Sequence, residues 1–97
     1  MRREICDQLM DFSEFAKHNG KVFEYIVYVV RNMVYNSPGK KCRIEDVIYC
    51  LEEKARRDKR LRASITRFRV FQAIAYLARR KEIKRIRLVL NLSLIHI

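Results

Sequence analysis

Apolar residues at Ile5, Leu9, Phe12 and Ala16 recur three or four apart, and Glu4, Asp7, Asp11 and Glu14 fall between them. Side chains at that spacing share one face of a helix, so residues 2–18 are predicted to form an amphipathic helix. "HNG" stops it, with Gly20 free to take the left-handed backbone that commonly closes a helix. The next run, "KVFEYIVYVVRNMVY", is rich in β-branched and aromatic residues that favour strand locally. Its length decides otherwise, because strands rarely exceed about ten residues. Phe23, Ile26, Val30 and Val34 line one helical face, and the prediction is a largely buried helix. "NSPGKK" is a loop, since Pro38 and Gly39 interrupt both helical and strand periodicity.

After a short strand-like "CRI", helical spacing resumes in "IEDVIYCLEEKARR" through Ile44, Val47, Ile48 and Leu51, with acids near the start where the helix dipole favours them. "RDKRLRAS" reads as a basic connection in which Ser64 or Thr66 caps the helix that follows. For residues 66–80, a wheel at about 100° per residue gathers Val70, Ile74, Leu77 and Ala78 on one side, with Phe71 on its edge. The opposite side collects Arg69, Gln72, Ala73, Tyr76 and Arg80, flanked by Arg79. From Ile83 the pattern turns to strand: Ile86, Leu88, Leu90, Leu92 and Leu94 alternate with Arg87, Asn91 and Ser93. Val89, Ile95 and Ile97 make the second face apolar too, so this tail needs cover from a hairpin against the helices or from a second subunit.

Charge changes the picture of these elements. Residues 51–97 carry fourteen Lys and Arg against four acids, which is +10 of the chain's +11. A field concentrated in that way attracts polyanions over roughly a Debye length, about 8–10 Å in physiological salt. A chain of 97 residues is one domain. It lacks an uninterrupted apolar run of membrane-spanning length, and "MRREICDQLMDF" has charges where a secretory leader is apolar, so the expectation is a soluble, intracellular protein.

Little points to catalysis or metal. No CxxC or CxxxH pair occurs, and His18 and His96 lie near opposite ends of the chain. A Ser/His/Asp set, a Gly-rich phosphate loop and paired carboxylates with a convergent His are all missing from the sequence, while the adjacent Glu52 and Glu53 point in different directions on a helix. The expectation is a protein that is not an enzyme and uses no cofactor. Three cysteines do not make a secreted disulfide framework. Cys6 and Cys50 read as thiols buried on apolar helix faces. Cys42, beside two lysines, is either a plain strand residue or an exposed thiol able to bridge two subunits.

The segment "ASITRFRVFQAIAYLARRKEIKRIR" resembles the recognition helix and first wing strand of winged helix-turn-helix proteins, with "IAYLARRKEIKRI" as the matching core. "RIEDVIYCL" is similar to the start of that family's second helix. The resemblance covers about residues 21–90 and is greatest to small regulators of archaea and their viruses. It implies a mainly α fold with a small β wing, in which residues 21–97 form the winged helix-turn-helix domain and residues 1–20 an added helical extension; dimerisation is expected through residues 2–18 and the apolar C-terminal strand, because both present more hydrophobic surface than one small body hides. There are departures: Lys81 stands where the family commonly has Gly, "KARRDKRLRAS" is longer than the usual tight turn, and the wing lacks an evident Gly tip.

The resemblance also implies a function: a homodimer that binds double-stranded DNA as a transcription regulator. The helix over residues 66–80 would lie in the major groove, a slot about 12 Å wide that admits one helix. Arg69 and Gln72 would then meet base edges, because Arg donates two bonds to guanine and Gln pairs with adenine. Tyr76 and Arg80 would reach sugar and phosphate. Arg62, Ser64, Thr66 and Arg67 would hold phosphate at the helix start, and Lys84, Arg85 and Arg87 would supply the flank. Two other readings use the same charges: a winged-helix subunit binding an acidic protein surface, or a non-specific binder of DNA or RNA.

Overall fold

The segment Val22–Asn36 folds as one helix, and most of the other described elements pack against it. The structure, a computed structural model, describes residues 3–18, 20–87 and 93–96. In chain order the elements are α1 (Arg3–Gln8), α2 (Phe12–Ala16), α3 (Val22–Asn36), a 3-10 turn (Pro38–Lys40), β1 (Lys41–Arg43), α4 (Ile44–Ala55), α5 (Lys59–Ser64), α6 (Arg67–Arg79), β2 (Lys84–Arg87) and β3 (Ser93–His96). The protein is thus mainly helical. α3 touches α1, α2, α4, α5, α6 and β1, which explains its composition. Tyr25, Ile26, Val29, Val30, Met33 and Val34 are wholly buried over more than half of its circumference. Burial on so many sides overrides the strand preference of Val and Ile, because the interior rewards their bulk in either conformation.

The expected single helix over residues 2–18 is broken into α1 and α2. The helix hydrogen bonds lost at the break are replaced from outside. The Met10 N–H donates to the Tyr28 hydroxyl (2.9 Å), and the Tyr25 hydroxyl donates to the Met10 carbonyl (2.7 Å). The Lys54 ammonium donates to the Leu9 carbonyl (2.8 Å). Side chains that buried hydrogen-bonding groups require as partners thus come from α3 and α4. Phe12 and Phe15 then meet the Tyr25 ring edge-on, with centroids 5.3 and 5.2 Å away.

Two further expectations are corrected. Cys6 and Cys50 are a disulfide rather than two thiols, joining α1 to α4 with 5.6 Å between Cα atoms. Cys42 is not exposed: in β1 it faces the core between exposed Lys41 and Arg43, as period-two alternation requires. "RDKRLRAS" is also more than a connection. Asp58 caps it by accepting from the Arg60 and Leu61 N–H groups, α5 forms, and Leu61 is driven into the core.

β3 pairs antiparallel with β1, Cys42 opposite Ile95, and antiparallel with β2, Arg85 opposite Ile95. The sheet order is β1-β3-β2. Both edges of β3 are therefore occupied within the chain, and Ile95 is buried. In residues 3–16, Cys6, Leu9, Phe12 and Phe15 join the one core, while Met10 stays exposed. Cys6, Leu9, Phe12, Phe15 and Ile95 are thus buried within the subunit, which reduces the apolar surface that residues 2–18 and the C-terminal strand offer a second copy. The apolar positions Leu88, Val89, Leu90, Leu92 and Ile97 lie outside the described residues.

Candidate nucleic-acid interface

α6 begins at a capped end. The Thr66 hydroxyl oxygen accepts from the Arg69 N–H (3.1 Å), which satisfies one of the donors a helix leaves open at its start. Val70, Ala73, Ile74 and Leu77 are buried, and α6 packs chiefly on α3. The other end closes on Lys81, whose φ is +61°. Its N–H bonds the Ala78 carbonyl (2.9 Å), and the Glu82 N–H bonds the Leu77 carbonyl (3.0 Å). This is the paired closure that usually employs glycine, so lysine holds the left-handed turn at a cost of roughly 1 kcal/mol.

Glu82 ties that turn to the body. Arg31 of α3 donates to it twice, at 3.0 and 3.3 Å, and Arg80 once at 2.9 Å. Hydrogen bonding from Arg31, then from Arg80, holds its carboxyl below the ordinary carboxylate range, so it stays charged at neutral pH. The C-terminal end of α6 is consequently tied to α3, and the first turn of α6 to α4 through the Arg67–Glu45 pair.

The outward line of α6 runs through Phe68, Gln72, Ala75 and Arg79, all exposed, with exposed Arg69 beside it. This differs from the wheel drawn on sequence. Ala73 is fully buried rather than outward, because a methyl side chain lets α6 approach α3 closely. Tyr76 is half-buried, its ring packed against Phe23 of α3 at 6.1 Å, and Arg80 lies over that ring at 5.5 Å. The outward centre is rotated by about a quarter turn, toward Phe68 and Ala75, which the sequence reading left unassigned. Averaging the directions of Val70, Ala73, Ile74 and Leu77 would have found it.

The predicted site residues divide by what already occupies them. Arg69 and Gln72 are exposed and point outward. Arg62, on α5, is exposed and donates to the Arg56 carbonyl (2.9 Å). Ser64 ends α5 half-buried, and Thr66 serves as the cap. Arg67 pairs with Glu45 of α4, and Arg80 is held by Glu82. The backbones of Lys84, Arg85 and Arg87 form β2. Among the described residues Arg62, Arg69 and Arg79 have no ion pair.

α4 carries the opposite sign next to this surface. Glu45 and Glu52 are exposed, and with Arg62, Thr66 and Arg67 they line a cleft between α4 and the start of α6. Arg56 lines the same cleft and Arg67 is paired with Glu45, so the charge of the cleft is mixed, while Arg69 and Arg79 are the exposed arginines of α6 without an acid partner among the described residues. Among the described residues no group of His, Cys, Asp and Glu is placed to hold a metal ion, and no helix is long and apolar enough to cross a membrane. Comparison with known proteins gave no matching family model, no matching curated protein and no matching solved structure.

Proposed function

We propose that this chain is a winged helix-turn-helix protein that binds double-stranded DNA through α6 and acts in transcription regulation. The observation that carries the reading is the outward line of α6, where Arg69, Gln72 and Arg79 stand exposed and uncommitted on a helix anchored from behind. Support comes from the order α3, β1, α4, α5, α6, β2, β3, which suits the mainly α fold with a small β wing that the sequence resemblance implies, α5 standing where the family has a tight turn. A helix about 10–12 Å across with its side chains also suits a groove about 12 Å wide. Arg69 then donates to guanine, Gln72 pairs with adenine, and Arg79 and Arg62 reach phosphates. The N-terminal elements act by stiffening α3, on which α6 rests.

A second reading has one observation in its favour. The cleft beside the start of α6 carries both signs, Glu45 and Glu52 with Arg56, Arg62 and Arg67, which suits a protein partner with mixed charge better than a duplex. Mobility shifts on duplex DNA, single-stranded DNA and RNA across a salt series separate the two. The expected result is preference for duplex, with log K falling linearly against log salt by about 0.9 for each phosphate contacted. Absence of binding to every nucleic acid at low salt sinks the DNA proposal and leaves the protein partner.

A further inference from the structure

Phe68 is the most exposed of the large apolar side chains described, with 70% of its surface open. It sits in the first turn of α6, one turn before Gln72 on the same outward line, with Arg67 and Arg69 on either side. A phenylalanine left in water forgoes the gain that burial gives the rest of the core. Arg67 is paired with Glu45, but Arg69 is exposed and has no ion pair among the described residues, which favours a polyanion over an apolar protein face or a lipid tail as the occupant of this spot.

We infer that Phe68 is a specificity-determining residue that packs against the C5-methyl group of a thymine in the major groove. This rests on the duplex reading of α6. The methyl is the apolar group that base pairs display in that groove, and phenylalanine is among the side chains that contact it. Ala75, on the same line two turns further on, offers the small apolar surface that lets the groove floor approach the helix. The rise from Phe68 to Gln72 is about 6 Å at 1.5 Å per residue. Base pairs are stacked about 3.4 Å apart, so the thymine lies within about two steps of the base that Gln72 meets.

The test begins with a duplex selected from random sequence by the wild-type protein. Each thymine in it is replaced in turn by deoxyuridine, which removes the methyl and keeps the hydrogen-bonding edge. The wild type is expected to lose about fourfold in affinity at one or two positions, the value of one buried methyl-sized group. Phe68→Ser is expected to bind thymine and uracil duplexes equally, and Phe68→Leu to keep part of the difference. Far-UV circular dichroism checks that these exposed-site variants remain folded. A selected duplex indifferent to uracil overturns the inference alone. So does an equal loss by wild type and Phe68→Ser, since another group would then be sensing the methyl. A wild type that selects no duplex overturns it together with the DNA reading.

Discussion

Replacing both Cys6 and Cys50 by Ala is expected to lower the unfolding free energy by about 4 kcal/mol, on the chain-entropy relation for a cross-link of this span. The bridge joins residues 44 apart, so it removes a large share of the conformations open to the unfolded chain. Alanine is the right replacement because both sulfurs are buried, and a serine hydroxyl there would add the separate cost of an unpaired polar group. For a domain of this size, each kcal/mol moves Tm by about 4–8 °C, so a fall on the order of 20 °C is expected by calorimetry. Reductant should reproduce the fall in the wild type and leave the double variant unchanged. Three titratable thiols in the denatured, unreduced wild type, with no response of Tm to reductant, would show that the bond does not form.

Lys54→Met is expected to destabilise the fold by about 2–4 kcal/mol, the range for a buried charge pair that loses one member. Lys54 is 6% exposed, and its ammonium donates to the Leu9 carbonyl at 2.8 Å and to Asp11 at 3.0 Å. Methionine keeps the apolar stem but leaves that carbonyl without its donor. Arg57 still reaches Asp11 at 3.2 Å, which keeps the loss from being larger. The effect carries a pH signature. Hydrogen bonding from Lys54 heads the causes that hold the Asp11 carboxyl below its ordinary 3.8. A depressed carboxyl stabilises the fold above its unfolded value, and that contribution is lost as pH falls through the folded one. The gap between Lys54→Met and wild type should therefore be widest near neutrality and shrink below pH 3.8. Denaturant titrations at several pH values check this, and equal stability at neutral pH contradicts it.

These two interactions mark where the sequence could be read and where it could not. α3, α4 and α6 were legible because each buries a stripe long enough for its period to show, and Gly20 and Pro38–Gly39 punctuated them plainly. The break between α1 and α2 was not, since it is made by Tyr25, Tyr28 and Lys54, which lie far away along the chain. α5 has a single buried residue, Leu61, and one position defines no period. The disulfide depends on a proximity that spacing alone does not reveal.

The candidate site was legible to a similar degree. Arg69 and Gln72 were placed correctly as exposed, because Gln72 lies opposite Val70, Ile74 and Leu77 on the wheel and Arg69 lies off their stripe. Tyr76 and Arg80 were drawn into the same outward set although one packs on Phe23 and the other is held by Glu82. Those partners come from α3 and from beyond the end of α6, and the wheel contains neither. Phe68 was passed over because an aromatic residue is ordinarily assigned to the interior.

The most direct test of the account replaces Arg69 and Gln72 together by Ala and measures affinity for the selected duplex against a random one. The account predicts that discrimination between them falls by about 5- to 150-fold for each base contact removed, at about 1–3 kcal/mol per bidentate pair, while affinity for the random duplex changes far less. Lys84→Ala, in β2, should instead weaken both equally and reduce the salt slope by about one. Equal losses on selected and random duplexes from the Arg69 and Gln72 variant would contradict the claim that the outward face of α6 reads bases.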